Sequence, residues 1–320
     1  MTALPVIIDC DPGQDDAINL LMAFARPDRF DILGVTAVAG NVPLNLTQRN
    51  IRLLCALAGR PDIPVYAGCD RPLIREPITA HQVHGPEGID GMTVGAPSVP
   101  LQPQHAVDFI IATLEAADDD GVTLVPTGPL TNIAAALSKV PAIASKISQI
   151  VLMGGAMREA GNFTPSAEFN ILVDPHAAEV VFGCGRPIVA FGLDVTHRLL
   201  GLPDRLERIR ALGNPVADAA YGMLSFFNRF DSAKYGSEGA PLHDPCTIAW
   251  LLRPELFQLK PCNISIETTS PLTVGHTAVD FWHVTTKPHN ARWAFEVDSE
   301  GFFDLLTDCL SRYGGRGQDM

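Results

Sequence analysis

The sequence contains no apolar run long enough to cross a membrane. None of its hydrophobic stretches approaches the roughly 18 residues that a membrane-spanning helix needs. The first residues also lack the basic segment followed by an apolar segment that marks a secretory signal peptide. We therefore predict a protein with no membrane partner, located in the cytoplasm.

The cysteines show no pairing pattern. The seven cysteines are widely spaced, and no two of them form a CxxC motif. This distribution is typical of reduced thiols, and it argues against a disulfide framework or a zinc site.

Positive charge is also in short supply. The 320 residues include 23 Lys and Arg against 36 Asp and Glu, which gives a net charge of −13 at pH 7. Because phosphate backbones are bound by basic surfaces, we do not expect a nucleic-acid partner. The GxGxxG and GxxxxGK[ST] motifs of phosphate-binding loops are missing as well. A small neutral substrate is compatible with this charge.

What the sequence does have is a regular alternation of short β-branched runs and helical patterns, with 47% apolar residues for the core. This order is typical of a parallel sheet whose faces are covered by helices. We predict one α/β domain over residues 1–320, an open, mostly parallel, Rossmann-like sheet flanked by helices, with C-terminal strands appended at its edge. The first predicted strand begins at residue 5. The others cover residues 30–38, 64–67, 122–126, 147–153, 188–191, 262–268, 273–279 and 292–297.

Four carboxylates are concentrated where the first strand meets the first helix. Residues 9–16 read DCDPGQDD. Strand alternation points Asp9 and Asp11 to the same side, and the helix dipole favours negative charge at Asp15 and Asp16. One dipole cannot hold so many close anions, so either some are protonated or a hard divalent cation lies among them. The alternative interpretation is a cluster of N-cap residues on a solvated loop.

Other polar side chains follow the later strands or open a helix. Because ligands bind beyond the carboxyl ends of parallel strands, we expect these side chains at one rim of the sheet. The long loop 70–104, rich in proline and glycine, adds histidine there. The candidates are Asp11, Asp15, Asp16, Asn41, His84, Thr127, Asn162, Glu168, Asn170, His243 and Asp244. Hard oxygen ligands, amides and imidazole, without a serine nucleophile elbow or a soft-metal set, indicate metal-assisted hydrolysis of a polyhydroxylated substrate.

The acidic segment 9–16 resembles the N-terminal signature of the calcium-dependent nucleoside hydrolases, or nucleoside N-ribohydrolases. The resemblance continues in order along nearly the whole chain, and within the family it is strongest to bacterial pyrimidine-preferring members, notably at residues 239–252. The further matching motifs are residues 39–41 (AGN), 83–85 (VHG), 127–129 (TGP), 153–156 (MGGA), 167–170 (AEFN) and 242–246 (LHDPC).

The resemblance implies a Ca²⁺ ion held by Asp11, Asp16, the backbone carbonyl of Thr127 and Asp244, which also contacts the substrate. Such an all-oxygen set is what calcium prefers. Asp11 would act as the general base for a calcium-bound water that attacks C1′ of a ribonucleoside. The ribose contacts that the resemblance implies are Asp15, Asn41, Asn162, Glu168 and Asn170.

The same resemblance implies roles around the base. His243 would protonate or orient the departing base, His84 would help to hold it, and Met153 would lie beneath the sugar. The preference leans toward uridine and cytidine, with inosine and uridine together as the other possibility. Family members are commonly homotetramers, so we expect a homo-oligomer.

Each residue also has a purely structural interpretation. Asp244 could only cap the helix after it, His84 could be a loop histidine without a role, and Met153 could be core. Asn162 and Asn170 could brace their own loop. We interpret His197 as structural. We expect the base to be read by the loop 81–91 and by the helical segment that carries Phe226, Phe227, Arg229 and Tyr235, although the aromatic residues there could equally be the apolar face of a helix.

Two other classes of protein remain as alternatives. An aspartyl-nucleophile phosphatase also begins with Asp-x-Asp after its first strand, although it needs a lysine that this chain does not place nearby. A non-catalytic protein that binds calcium and a nucleoside would keep the acidic site, although it would have no need of both Asp11 and His243.

Overall fold

A computed structural model describes residues 2–93 and 96–314, and eleven strands lie within those ranges. Most follow the predicted β-branched runs to within a residue or two. The strands are β1 Leu4–Cys10, β2 Phe30–Ala37, β3 Val65–Ala67, β4 Leu101–Gln102, β5 Val122–Pro126, β6 Ile147–Met153, β7 Ile188–Phe191, β8 Phe257–Cys262, β9 Ile264–Ile266, β10 Thr277–Val279 and β11 Ala291–Val297.

Nine of the described strands form one sheet, in the order β4-β3-β2-β1-β5-β6-β7-β11-β8. Neighbours are parallel throughout, except that β8 runs antiparallel to β11 at one edge. The predicted α/β fold is therefore confirmed, including the appended C-terminal strands.

Helices follow most of the parallel strands. They are α1 Gln14–Phe24, α2 Leu44–Leu57, α3 His81–His84, α4 Ala106–Ala116, α5 Thr131–Lys139, α6 Phe169–Val173, α7 Pro175–Phe182, α8 Leu193–Thr196, α9 Pro203–Arg210, α10 Pro215–Tyr235, α11 Pro245–Leu252 and α12 Ser299–Ser311. Of these, α8 to α11 lie between β7 and β8, and α12 follows β11. Within the described ranges, none of the helices is long and apolar enough to cross a membrane.

Helices cover both faces of the sheet, and β1 shows how the sequence achieves this. Val6 and Ile8 pack in the apolar cluster that includes residues of α1, α2, α10 and α12, whereas Ile7 packs in the cluster formed with α4, α5 and α7. Successive side chains of a strand point to opposite faces, so a central strand buried on both sides must be apolar at every position. The run VII at residues 6–8 meets this requirement.

The chain order creates a switch point beside β1. Strands β2, β3 and β4 lie to one side of β1, and β5, β6 and β7 lie to the other. In open α/β sheets a crevice forms outside the carboxyl ends of the strands where the order reverses. The segments after β1, β2, β5 and β6 all meet at this crevice.

The predicted C-terminal strands need correction, and the strand predicted over 273–279 is confined to β10, Thr277–Val279. Residues 257–262 form β8, which the sequence did not indicate, because FQLKPC contains a proline and alternates poorly; an edge strand tolerates such a proline. The predicted strand 262–268 is instead divided between the end of β8 and β9, and β9 pairs with β10 in a separate two-stranded sheet.

Candidate active site

The turn between β1 and α1 places two carboxylates at the start of a helix. Asp15 and Asp16 lie in the first turn of α1, as the sequence predicts. The Asp16 carboxylate accepts hydrogen bonds from the backbone N–H of Gly13, at 3.0 Å, and from the Thr127 hydroxyl, at 2.7 Å. Asp16 therefore joins the end of β5 to the start of α1 and is held in one orientation.

Asp11 lies just beyond the end of β1 and is fully buried. Its Oδ2 accepts a hydrogen bond from the backbone N–H of Asn41 at 2.7 Å, whereas its Oδ1 has no hydrogen-bond partner among the described residues. A Cβ at Gly40 would lie 2.0 Å from Oδ2, and one at Gly128 would lie 2.5 Å from Oδ1. A side chain at either position would therefore displace the carboxylate, which lies closely packed between the two glycines.

Asp15, Asp16 and Asp244 bring carboxylate oxygens within 4.8 Å of one another. Burial, and then the charge of Asp16, raise the pKa of Asp15 to about 7, and burial raises the pKa of Asp16 to about 6. The pKa values of Asp11 and Asp244 lie well above their usual range, first because of burial and then because of the neighbouring carboxylates.

This donor set fits a metal ion. The buried oxygens repel one another, and the orphaned Oδ1 of Asp11 lacks the partner that a buried carboxylate needs. A cation would supply the missing charge, and ligands that are all oxygen suit a hard divalent ion. The cluster supports the prediction of a metal site. It contains Asp16 and Asp244, which were predicted as metal ligands, and also Asp15, which was predicted to contact the ribose.

The interpretation of Asp244 as only a helix cap is wrong. Asp244 occupies the N-cap position of α11, but its side chain makes no capping hydrogen bond. It is buried and lines the cavity instead. Its carboxylate is therefore left for the acidic cluster.

Two polar residues at the start of α6 also line the crevice. Asn170, in α6, donates from Nδ2 to the backbone carbonyl of Thr127 at 2.8 Å, so it braces the end of β5 rather than its own loop. Glu168 is the N-cap of α6 and accepts hydrogen bonds from the backbone N–H groups of Asn170, Ile171 and Gly155 at 2.9, 3.2 and 2.9 Å. Burial raises the pKa of Glu168.

Asn162 and Met153 are compatible both with a structural role and with contact to a ligand. Asn162 braces its own loop, because its Oδ1 accepts from the backbone N–H of Phe169 at 3.0 Å, yet it also lines the cavity. Met153 is buried and is likewise part of the cavity wall, with its sulfur 3.5 Å from Nδ2 of Asn170.

His84 is not a loop histidine, because it belongs to the short helix α3 and is buried. The Gln14 carboxamide donates from Nε2 to the backbone carbonyls of His84 and Asp90 at 2.8 and 3.2 Å, so its Oε1 accepts from Nδ1–H of His84 at 2.8 Å. The His84 ring also stacks on Phe227, with centroids 5.4 Å apart. Burial lowers the pKa of His84 to about 3.

His243 lies just before α11 and is bonded to the end of α8. Its Nδ1 is 2.8 Å from the hydroxyl of Thr196, and its ring packs edge-on against His197 with centroids 6.0 Å apart. Burial, and then the neighbouring His197 and His84, lower the pKa of His243 to about 3. His197 contacts Glu159 at 3.3 Å and lines the cavity.

These groups surround one cavity of about 570 Å³, a volume in the range of small-molecule sites. The predicted residues that line it are Asp15, Asn41, His84, Thr127, Met153, Asn162, Glu168, Asn170, His243 and Asp244. Asp11 and Asp16 are not part of this lining, but their carboxylates accept hydrogen bonds from two residues that are, Asn41 and Thr127. No lysine or arginine belongs to the part of the lining that the structure describes.

The residues that were candidates for contacting the base differ in whether they line the cavity. Phe227 lines the cavity together with Phe230, whereas the Arg229 guanidinium stacks on Phe226, 3.6 Å from the ring centroid, and neither residue of that pair is in the lining. The side chain of Tyr235 lies outside the described part of the chain.

Sequence reasoning missed three supporting residues. Gln14 holds His84, Thr196 holds His243, and Asn132 donates to the buried Asp9 at 2.8 Å. Asp9, also bonded to Thr36, stays outside the cavity lining. Gln14 lies inside the acidic motif and could have been noticed there; the other two carry no local signal.

The comparisons with known proteins agree with this geometry. Residues 6–304 match the family model described as inosine-uridine preferring nucleoside hydrolase. The chain is 50% identical over 310 residues to a pyrimidine-specific ribonucleoside hydrolase RihA from Shewanella sp. (strain MR-7), covering 97% of this chain and 96% of the relative.

Solved structures show the same likeness. A plant nucleoside hydrolase superposes with a TM-score of 0.90 at 30% identity, covering 97% of this chain and 99% of its own. The purine-preferring ribonucleoside hydrolase from Gardnerella vaginalis superposes with a TM-score of 0.89 at 31% identity, covering 96% and 98%.

The acidic cavity at the sheet switch point and these likenesses define an enzyme that hydrolyses the N-glycosidic bond of ribonucleosides. The chain belongs to the inosine-uridine preferring nucleoside hydrolase family. The predicted family and activity are thereby confirmed, and the phosphatase and the non-catalytic binding protein are set aside.

Proposed function

We propose that the protein is a calcium-dependent ribonucleoside hydrolase that prefers pyrimidine nucleosides and releases ribose and the free base. The single observation that carries this proposal is the buried cluster of Asp15, Asp16 and Asp244, with the orphaned Oδ1 of Asp11 beside it, against a cavity that Asp15 and Asp244 line. The preference for pyrimidines rests on the likeness to RihA.

Asp11, Asp16, Asp244 and the backbone carbonyl of Thr127 would hold the calcium ion. Asp15 is a further oxygen ligand within reach, since its carboxylate lies in the same cluster. When bound, the ion would supply positive charge to orient the ribose hydroxyls and to make a water more acidic. The carbonyl of Thr127 can take part while it accepts from Asn170, because a carbonyl oxygen has two lone pairs.

Asp11 would act as general base. Its Oδ1 has no competing hydrogen bond, and the close packing between Gly40 and Gly128 leaves it one orientation. It would take a proton from the water that attacks C1′, and such proton transfer contributes about 10²–10⁴-fold to a rate.

The remaining polar side chains would bind the sugar. Asp15, Asn41, Asn162, Glu168 and Asn170 offer carboxylate and amide groups to the ribose hydroxyls. As the glycosidic bond breaks, the ring gains oxocarbenium character, so carboxylates around it stabilise the transition state more than the ground state. Met153 supplies an apolar contact from the end of β6.

The base would lie on the other side of the cavity. His84 stacks on Phe227 and would hold it, and His243 would donate a hydrogen bond to the base as it departs. The negative charge that develops on uracil or hypoxanthine makes such a donor valuable.

We also propose that residues 1–320 act as one functional unit, in the cytoplasm, as a homotetramer. The oligomer rests on the family resemblance and on exposed apolar side chains, among them Trp282 at 72% and Val284 at 83% exposure. These two side chains line one depression of the surface, and contiguous exposed apolar patches are typical of contact surfaces between proteins.

The proposed preference predicts the outcome of one assay. Release of ribose from uridine, cytidine, inosine and adenosine should be measured side by side at equal enzyme concentration. We expect kcat/KM for uridine and cytidine to exceed that for adenosine by at least about tenfold, the equivalent of about 1.4 kcal/mol of transition-state binding. Equal values for all four nucleosides would contradict the pyrimidine preference without affecting the assignment to the family.

The role of His243 predicts a dependence on the leaving group. His243→Ala should lower kcat for uridine by about 10²-fold or more, because the departing uracil loses a hydrogen-bond donor. It should leave p-nitrophenyl riboside within about threefold of wild type, since p-nitrophenolate departs without such help. Parallel losses on the two substrates, measured on one preparation, would remove His243 from the reaction and leave it a packing role.

A further inference from the structure

Thr196 ends α8 directly behind His243 and is fully buried. Its hydroxyl lies 2.8 Å from Nδ1 of His243, and it has no other hydrogen-bond partner among the described residues. A hydroxyl carries one proton, and a buried O–H without an acceptor is costly. The proton of Thr196 therefore has one place to go, the lone pair on Nδ1.

This single contact decides where the imidazole carries its own proton. If Nδ1 carried a hydrogen, it would have to donate to Thr196, and the hydroxyl proton would be buried without an acceptor. Because Thr196 donates instead, Nδ1 is bare and the ring proton lies on Nε2. Nε2 makes no hydrogen bond with the described residues, and His243 lines the cavity. A proton on Nε2 is thus available to a ligand.

We propose that Thr196 is a positioning residue that fixes His243 in the tautomer with its proton on Nε2, so that the departing base receives a hydrogen bond. The inference rests on the proposed function, because it needs a base in the cavity. It assigns a part in the reaction to a side chain that does not itself line the cavity.

His84 cannot replace the donor, because Gln14 fixes it the opposite way. Both N–H groups of the Gln14 carboxamide are directed at backbone carbonyls, so its Oε1 accepts from Nδ1–H of His84. Nε2 of His84 is then bare and can only accept. His84 and His243 therefore present unlike groups to the cavity, and of these two it is His243 that can donate.

The test compares Thr196→Val, Thr196→Ser and a control variant on two substrates, uridine and p-nitrophenyl riboside. Thr196→Val removes the hydroxyl at nearly constant volume, and Thr196→Ser keeps it. We expect Thr196→Val to lower kcat for uridine by about 10-fold to 100-fold, the effect of losing one buried hydrogen bond, with little change for p-nitrophenyl riboside. Thr196→Ser should restore most of the activity on uridine.

Thr123→Val is the matched control. Thr123 is also fully buried and bonds Ser148 through its hydroxyl at 2.9 Å, but it lies within β5 away from the cavity lining. It should leave the ratio of the two kcat values at its wild-type level. Thermal unfolding of each variant shows that it is folded, and Thr196→Ala serves the same comparison should Thr196→Val not fold.

Each result has a defined meaning. An unchanged kcat for uridine in Thr196→Val, equal losses on both substrates, or a Thr196→Ser as impaired as Thr196→Val would overturn the inference and leave the proposed function standing. Wild-type protein that releases ribose from neither substrate would overturn both.

Discussion

Replacing Asp11 with asparagine is expected to lower kcat for uridine by about 10²–10⁴-fold while the protein stays folded. The amide is nearly isosteric, so it fits between Gly40 and Gly128 and can still accept the hydrogen bond from Asn41. What it cannot do is take a proton from water. A further loss is expected if the amide also weakens the binding of calcium.

The control for this variant is Asp174→Asn. Asp174 is equally buried and accepts hydrogen bonds from Leu73, Thr131 and Ala177, but it does not line the cavity. We expect it to reduce the thermal stability and to keep kcat within about threefold of wild type. An Asp11→Asn enzyme as active as the Asp174→Asn enzyme would show that another group activates the water.

Much of the fold and the centre of the site could be predicted from local patterns. The VII run at residues 6–8 reveals a strand buried on both faces, and parallel strands bring their carboxyl ends to one rim. Asp11, Asn41 and Thr127 follow such strands, so their convergence is a consequence of topology. Asp15 and Asp16 follow from the helix start that the Pro-Gly turn indicates.

The supporting contacts could not be predicted in this way, because they join distant parts of the chain. Thr196 and His243 are 47 residues apart, and Gln14 and His84 are 70 apart. Nothing in the sequence around Thr196 distinguishes its hydroxyl from that of any other buried threonine. Strand β8 was missed for a different reason, since its pairing with β11 compensates for a weak local pattern.

Removal of calcium is expected to abolish the activity. Without a cation, the carboxylates of Asp11, Asp15, Asp16 and Asp244 share one buried pocket, where burial and mutual repulsion hold their pKa values above the usual range. Protonated or mutually repelled side chains can neither orient the ribose nor accept a proton from water. Metal binding requires the ionised carboxylates, so the cation and the catalytic charge state are coupled.

The most direct test of this account is the release of ribose from uridine by the same preparation before chelation, after exhaustive chelation, and after calcium is added back. Elemental analysis should accompany each step, and we expect about one Ca²⁺ per chain in the active protein. We expect activity to fall to background in the metal-free protein and to return with calcium, with magnesium less effective because it accepts fewer ligand geometries. Full activity in protein verified to contain no metal would contradict it.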